Sequence, residues 1–299
     1  MRYGTGVALV LGAGVLWSLQ GLIVRQIGQA SAVEVQFWRA AGTVPVLLGW
    51  SVLTGRAAVG RASLWQRIVS VGGVGAIGAV ALAAAFFGAI HAFQTLTVAN
   101  AVFLFSTSPV FAALLGWGLL RERVRPATWA AIALAGVGIV VMLQGGFAAG
   151  RMGGSLAALV AGAGFAVFTV CLRWGRLSDM MPVAMLAGAL SLVVALAVGG
   201  PQAMFAVPAR DAALAALMGA VALAGGMILY TLGSRVVPAA EATLLSLIEV
   251  MLGPLWVWML LGETASGATL TGGAILLVAV ALNAVSGLRR TARPARVTP

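Results

Sequence analysis

The chain has 299 residues, of which 62% are hydrophobic and only 8% are charged, and its mean hydropathy is +1.07. Soluble domains carry roughly 25% charged residues, so this composition excludes a soluble domain and indicates an integral membrane protein. The net charge of +11 does not indicate a nucleic-acid partner. Every basic residue is an arginine, and the arginines lie in short breaks between apolar runs, as in membrane proteins.

Ten apolar runs follow one another along the chain. Runs of about 17 to 25 residues can cross a bilayer as helices. The first five predicted spans are residues 4–24, 35–53, 68–93, 97–120 and 128–143. The second five are residues 154–172, 182–198, 212–232, 239–261 and 269–287. Transmembrane strands would alternate in polarity, so we predict an all-α integral membrane protein with ten transmembrane helices.

The arginines predict the orientation of these spans. With both termini in the cytoplasm, all but four of the 18 basic residues lie on the inner side, as the positive-inside rule requires. The four exceptions are Arg25, Arg39, Arg151 and Arg210. The single cysteine, Cys171, lies inside an apolar run, so we interpret it as a packing residue and predict no disulfide and no metal site.

Two parts of the sequence occur twice. Residues 8–14 read ALVLGAG and residues 158–164 read ALVAGAG, a shift of 150 positions. A shift of 141 positions superimposes the region before Glu122 on that before Glu263 without a gap, including the pairs Trp117–Trp258 and Leu120–Leu261. Because five spans are an odd number, the second half enters the membrane in the opposite sense. We therefore predict two inverted five-helix repeats, residues 1–150 and 151–299, suited to alternating access around a midplane site.

The second repeated region contains a sequence motif in each half. Residues 106–122 read STSPVFAALLGWGLLRE, and residues 247–263 read LIEVMLGPLWVWMLLGE. This pattern resembles EamA-type members of the drug/metabolite transporter superfamily, in which each half carries a polar or acidic residue, a proline, an apolar run and Gly-Glu. In this chain Val250 follows Glu249, the proline comes later at Pro254, and Arg121 replaces the glycine before Glu122.

The resemblance covers the chain up to Gly287. It implies a multi-pass transporter of the bacterial inner membrane, and the nearest likeness is to bacterial amino-acid exporters, including exporters of aromatic amino acids. We expect the transported partner to be a small molecule, and we predict no cofactor. The arginine-rich tail after Gly287 is expected to stay on the cytoplasmic surface.

Two charged residues within predicted spans are the leading site candidates. Glu249 lies near the middle of the ninth span, where a carboxylate costs about 2.5–3.5 kcal/mol to insert, so it should face protein or water. It either binds a substrate ammonium or carries a proton, or it is a hydrogen-bonded packing residue. Arg39 in the second span needs an anion or carbonyl groups. Its partner is a substrate carboxylate, Glu249 or another internal group.

Polar residues and prolines in the fourth and ninth spans are further candidates. The hydroxyl and amide groups either line a polar cavity or bond to the preceding helical turn and join helices. These residues are Asn100, Ser106, Ser108, Thr243 and Ser246. Pro109 and Pro254 each remove a backbone donor from a span, which either creates a kink at a gate or is accommodated by neighbouring helices.

The remaining candidates are aromatic or lie close to aromatic residues. Trp17, next to Gln20 on the first span, either forms a wall for the substrate or is a lipid-facing or core aromatic. Tyr230 and His91 lie at span ends, where an interfacial role competes with substrate contact. His91 also offers a sensor for the outer pH.

These features favour a secondary transporter that exports amino acids or related small metabolites by alternating access. The chain has no phosphate-binding loop of the Walker type, so a gradient of substrate or of protons would drive transport. An exporter of cationic drugs is the alternative, and Arg39 favours zwitterions over cations. A lipid-modifying membrane enzyme or a passive channel is less favoured. The predicted partners are the substrate, the bilayer and a proton, and the protein is predicted to be a monomer.

Overall fold

The computed structural model describes residues 1–57, 66, 71–121, 126–148, 151–175 and 180–291, and regular structure in these ranges is entirely helical. The first half contains α1 (Tyr3–Gln26), α2 (Ala32–Ala57), α3 (Gly72–Thr95), α4 (Val98–Phe105), α5 (Ser108–Leu120) and α6 (Pro126–Ala148). The second half begins with α7 (Met152–Trp174), α8 (Met181–Ala206), α9 (Ala209–Leu217), a π-helical segment (Met218–Gly225) and α10 (Gly226–Gly233). It continues with α11 (Ala239–Ser246), α12 (Ile248–Leu261) and α13 (Gly267–Thr291).

Seven of these helical stretches are long and apolar enough to cross a membrane. They are α1, α3, α4 with α5, α6 as far as Gln144, α7, α8, and the stretch from α9 to α10. The apolar helix α12 and the apolar part of α13 are shorter, and α2 carries Glu34, Gln36 and Arg39 in its first turns. The prediction of apolar membrane helices is confirmed for these seven, and the count of ten stays a prediction. Residues 68–70 of the predicted third span lie outside the described part.

The helices of the two halves pack against each other in pairs. Helix α1 contacts α10, α11, α12 and the π-helical segment, while α7 contacts α3, α4 and α5. Helix α2 packs against α8, and α6 packs against α13. The interior is formed by large apolar side chains such as Leu47, Leu82 and Phe168, each at most 1% exposed.

Glycines allow α2 to approach the eighth predicted span at backbone distance. A Cβ atom built at Gly219 would lie 1.9 Å from the carbonyl oxygen of Arg39, and one at Gly42 would lie 2.0 Å from that of Ala216. Small residues permit such contacts between membrane helices, because dispersion and weak backbone interactions replace the hydrophobic effect there. The contact fixes the position of the α2 turn that carries Arg39.

A substitution at this contact is expected to destabilise the protein. The added methyl group of Gly219→Ala meets backbone atoms of α2, which must move, and overpacking of this kind costs about 1–3 kcal/mol. The matched control is Gly136→Ala in α6, where a Cβ has no neighbour within 4 Å. We expect a lower thermal unfolding temperature in detergent for Gly219→Ala alone, and equal temperatures for the two variants would contradict the contact.

The fourth predicted span is broken inside the bilayer-length stretch Val98–Leu120. The hydroxyl of Ser106 donates to the carbonyl oxygen of Phe103 at 2.7 Å, and that of Thr107 donates to Leu104 at 2.6 Å. Such local bonds compete with the regular helix. Pro109 is the second residue of α5, where a missing N–H is tolerated. The sequence Ser-Thr-Ser-Pro thus ends one helix and starts the next.

The ninth predicted span has a break at a corresponding position. Its break is Leu247, and Ala239–Ser246 begins and ends 141 positions after Val98–Phe105. Helices α5 and α12 also end 141 positions apart, and both stop at a left-handed residue, Arg121 (φ 52°) and Gly262 (φ 67°). The spacing of these helix ends is the spacing of the sequence repeat.

Glycines of α1 and α7 contact the two breaks in the same way. A Cβ at Gly14 would lie 2.5 Å from the Ile248 side chain, and one at Gly162 would lie 2.8 Å from Thr107. The glycines are 148 positions apart (162 − 14) and their partners 141 apart (248 − 107). The same two spacings recur in the contacts Gly6–Val236 and Gly154–Thr95. The register of these contacts differs by two residues from the 150-residue shift of the ALVLGAG match.

Candidate functional site

A buried arginine is the first component of the site. Arg39 is the eighth residue of α2 and is 3% exposed. Its Nη1 donates to Gln36 Oε1 at 3.0 Å and its Nη2 to Gln20 Oε1 at 2.9 Å. The guanidinium carbon lies 4.8 Å from the centre of the Phe86 ring, and Nε has no hydrogen-bond partner among the residues that the structure describes. Among the described residues, no carboxylate oxygen lies within 4.0 Å of this guanidinium.

Aromatic residues continue the site from Gln20 toward the π-helical segment. Gln20 Nε2 donates to the carbonyl oxygen of Trp17 at 3.3 Å, one turn earlier on α1. The indole Nε1 of Trp17 donates to the carbonyl oxygen of Leu223 at 3.4 Å. The Trp17 and Tyr230 rings lie 5.5 Å apart at 37°. One connected group of candidates is thus formed by Trp17, Gln20, Arg39 and Tyr230.

The position of Trp17 depends on the local shape of the eighth predicted span. A Cβ atom at Gly226 would lie 2.3 Å from the indole nitrogen, so a larger residue there would displace the ring. Gly226 directly follows the π-helical turns Met218–Gly225. Such segments are rare in proteins and frequent at functional sites.

Glu249 lies in the first turn of α12, directly after the break at Leu247. It is partly buried and makes no hydrogen bond or ion pair with any residue that the structure describes. A Cβ at Gly14 would lie 3.7 Å from the Glu249 backbone nitrogen, so the residue borders α1. The N-terminal end of a helix favours a negative charge. The internal Arg39–Glu249 pair considered from the sequence is not formed.

The other polar candidates are distributed around the two breaks. Asn100 is buried in the first turn of α4, and its Oδ1 has no hydrogen-bond partner in the described ranges. Ser106 bonds locally to Phe103, while Ser108 is partly buried at the start of α5. Ser246, also partly buried, is the last residue of α11. The side chain of Thr243 lies outside the described part of the structure.

The two prolines and the histidine that the sequence singled out lie at different places relative to the helix breaks. Pro254 lies inside α12, seven residues after the helix break at Leu247, so the break does not coincide with this proline. Pro109 follows the break of the fourth span, as described above. His91 is exposed on α3, and its carbonyl oxygen accepts a hydrogen bond from the Thr95 hydroxyl.

An ion pair that the sequence analysis missed connects three segments. Arg25 Nε lies 2.5 Å from Glu263 Oε2, and the Arg25 Nη groups donate to the carbonyl oxygens of Phe93 and Leu96. Glu263 Oε1 accepts the backbone N–H of Val98 at 2.6 Å. This Arg25–Glu263 junction joins the end of α1, the α3–α4 connection and the loop after α12. The only sequence signals were the Gly-Glu motif and an arginine on the less basic side.

Comparison with known proteins agrees with this architecture. Residues 4–144 match the EamA-like transporter family. The match supports an EamA-like transporter domain in the first half of the chain. The matched residues run from α1 into α6 and include Trp17, Gln20 and Arg39. With the apolar helices, it supports a multi-pass membrane protein.

Solved structures give the same fold. Seventeen chains of solved structures match this protein. One of them, a crystal structure, is 18% identical to it, covers 96% of this chain and 100% of its own, and has a TM-score of 0.64. The comparison with curated proteins gives no match.

Proposed function

We propose that the protein is a secondary transporter that exports amino acids or related small metabolites across the bacterial inner membrane by alternating access. The observation that carries the proposal is the pair of broken helices with ends 141 positions apart, each contacting a glycine of α1 or α7 at its break. Broken helices near the midplane supply polar groups for a substrate in many transporters, and their inverted pairing allows two related conformations.

The helix packing supports two inverted five-helix repeats. If the first span corresponds to the sixth, the second to the seventh and so on, the contacts of α1 with α12 and α10 correspond to those of α7 with α5 and α3. The pairs α2–α8 and α6–α13 each join a span to its own counterpart in the other repeat. A rocking motion of one repeat against the other then exchanges the two sets of contacts. Both termini lie in the cytoplasm in this arrangement.

The unpaired charges support a zwitterionic substrate. Within the part of the chain that the structure describes, neither Glu249 nor Arg39 has a charged partner, so Glu249 can bind an ammonium group and Arg39 a carboxylate, while Trp17 and Tyr230 offer aromatic surface. A cationic drug would use Glu249 and the aromatic rings alone. It would leave the buried guanidinium of Arg39 without a counter-charge, so we favour amino acids over cationic drugs.

Flux measurements with purified protein in liposomes test the proposal. Vesicles are loaded with radiolabelled amino acids in one series and with drug cations in the other, with and without a pH gradient. We expect saturable amino-acid efflux well above that of protein-free vesicles, and a response to the gradient if protons are coupled. Efflux of drug cations without amino-acid efflux would contradict the choice of substrate, and no efflux in either series would contradict transport.

A further inference from the structure

The buried charge of Arg39 is not neutralised within the described part of the protein. Two glutamine side chains and the Phe86 ring face its guanidinium, and these groups supply dipoles and a ring quadrupole but no negative charge. A cation held away from water is strongly disfavoured unless an anion compensates it. Arg39 therefore has the surroundings of a binding group rather than those of a structural ion pair.

Glu249 makes no ion pair with Arg39, and three other acidic residues of neighbouring elements are engaged elsewhere. Glu34, five residues before Arg39 on α2, accepts the backbone N–H of Ser31 at 2.7 Å. Asp211 accepts three backbone N–H groups of the α1–α2 connection, the closest from Gln29 at 2.8 Å. Glu263 pairs with Arg25. Glu122 and Asp179 lie outside the described residues.

The geometry of the guanidinium suits a planar anion. An arginine has five N–H donors, and the two glutamine oxygens occupy two of them, which leaves the Nε group and one donor on each Nη. Gln36 and Gln20 hold the plane in one orientation. An arginine edge that presents parallel N–H groups matches the two oxygens of a carboxylate.

We infer that Arg39 binds the carboxylate group of the transported molecule, with Gln20 and Gln36 as the residues that orient the guanidinium. The inference rests on the proposed transport function and narrows its substrate to carboxylate-bearing molecules. Gln36 is buried, whereas Gln20 is partly buried and bonds both to Arg39 and to the backbone carbonyl oxygen of Trp17. The ligand reaches Arg39 past this side chain, and the body of the ligand contacts Trp17 and Tyr230.

Binding to the purified full-length protein in detergent tests this site without transport. The readout is thermal stabilisation and tryptophan fluorescence, with a panel of amino acids, the same amino acids as carboxamides, benzoate, benzamide and inorganic phosphate. We expect at least one carboxylate to bind about tenfold or more tightly than its matched amide, because a charged hydrogen bond is lost with the amide. Equal binding of acid and amide, no binding by any carboxylate, or binding of phosphate alone would overturn the inference.

Variants test whether Arg39 is the residue that gives the preference for the acid. Arg39→Gln is expected to lose the preference for the acid over the amide while keeping affinity for the amide, and Arg39→Lys to retain part of the preference. Should Arg39→Gln not fold, Gln20→Ala removes only one orienting bond and is expected to reduce the preference several-fold. Preference unchanged in the folded variants would contradict the role of Arg39. Acid-selective binding without flux in liposomes would contradict the transport function but not this site. Flux without a preference for the acid would contradict this site but not the transport function.

Discussion

The Glu249→Gln variant is expected to lose substrate flux in proteoliposomes by roughly tenfold to more than a hundredfold while remaining folded in detergent. Glu249 has no described partner that its charge could stabilise, so the substitution removes no internal ion pair. It does remove the charge that would bind an ammonium group or a proton, and a charged hydrogen bond contributes about 1.5–3 kcal/mol. Efflux of radiolabelled amino acid measures the first effect, and thermal unfolding with size-exclusion profiles measures the second.

Glu241→Gln is the matched control for this variant. Glu241 belongs to the same predicted span, but it lies in the first turn of that span. Its carboxylate accepts a hydrogen bond from the Tyr3 hydroxyl. We expect the Glu241 variant to transport at close to the rate of the unmodified protein. Normal transport by Glu249→Gln would make Glu249 a packing residue. Flux that persists but no longer responds to a pH gradient would assign it to the proton instead of the ammonium group.

Hydropathy predicted the ends of the fourth span because its boundaries are sharp changes in polarity. The prediction of 97–120 agrees with Val98–Leu120, where the Thr97 hydroxyl caps the first turn by accepting the Asn100 N–H. The break at Ser106 and Thr107 was not predicted as a helix end. A hydroxyl bonded to the carbonyl three residues earlier leaves the apolar run uninterrupted, so hydropathy averages are insensitive to it.

The 150-residue shift of the first repeat shows that a sequence comparison based on small residues does not determine the register. Alanine and glycine recur so often in α1 and α7 that neighbouring alignments score nearly alike, and the 150-residue shift of ALVLGAG was one of them. The contacts in the structure define the register more specifically than the sequence does, because only the positions that touch the other half must be glycine. Gly14 and Gly162 face the two breaks at a shift of 148, and this register was accessible from the structure alone.

The candidate residues divide by the range of their contacts. Arg39 was predicted from its own depth in a span, a property that is visible in the sequence. Its partner Gln20 lies on another helix, and the sequence placed it only beside Trp17. Arg25 and Glu263 are 238 positions apart, and each had only a local context in the sequence, as an arginine on the less basic side and as the end of a motif. Interactions between distant segments therefore account for the partners of Arg39, Arg25 and Glu263 that sequence reasoning missed.

Loss of the Arg25–Glu263 junction is the second large effect that we expect. In Arg25→Ala, Glu263 loses its cation, and the carbonyl oxygens of Phe93 and Leu96 lose their donors. Breaking a fully buried pair costs about 3–5 kcal/mol. The Arg25 and Glu263 side chains are 22% and 18% exposed, so we expect a smaller loss of stability, still measurable as a lower unfolding temperature. Arg235→Ala, which removes an exposed arginine in the connection between α10 and α11, is the control.

The exchanged variant Arg25→Glu/Glu263→Arg separates the ion pair from its backbone bonds. It restores opposite charges, but a glutamate at position 25 cannot donate to Phe93 and Leu96, and an arginine at position 263 cannot accept the Val98 N–H. We therefore expect only partial recovery of the unfolding temperature relative to Arg25→Ala. Full recovery would mean that charge alone joins the three segments. An Arg25→Ala protein as stable as the Arg235→Ala control would mean that the junction contributes nothing, and the end of α1 would then be held by packing alone.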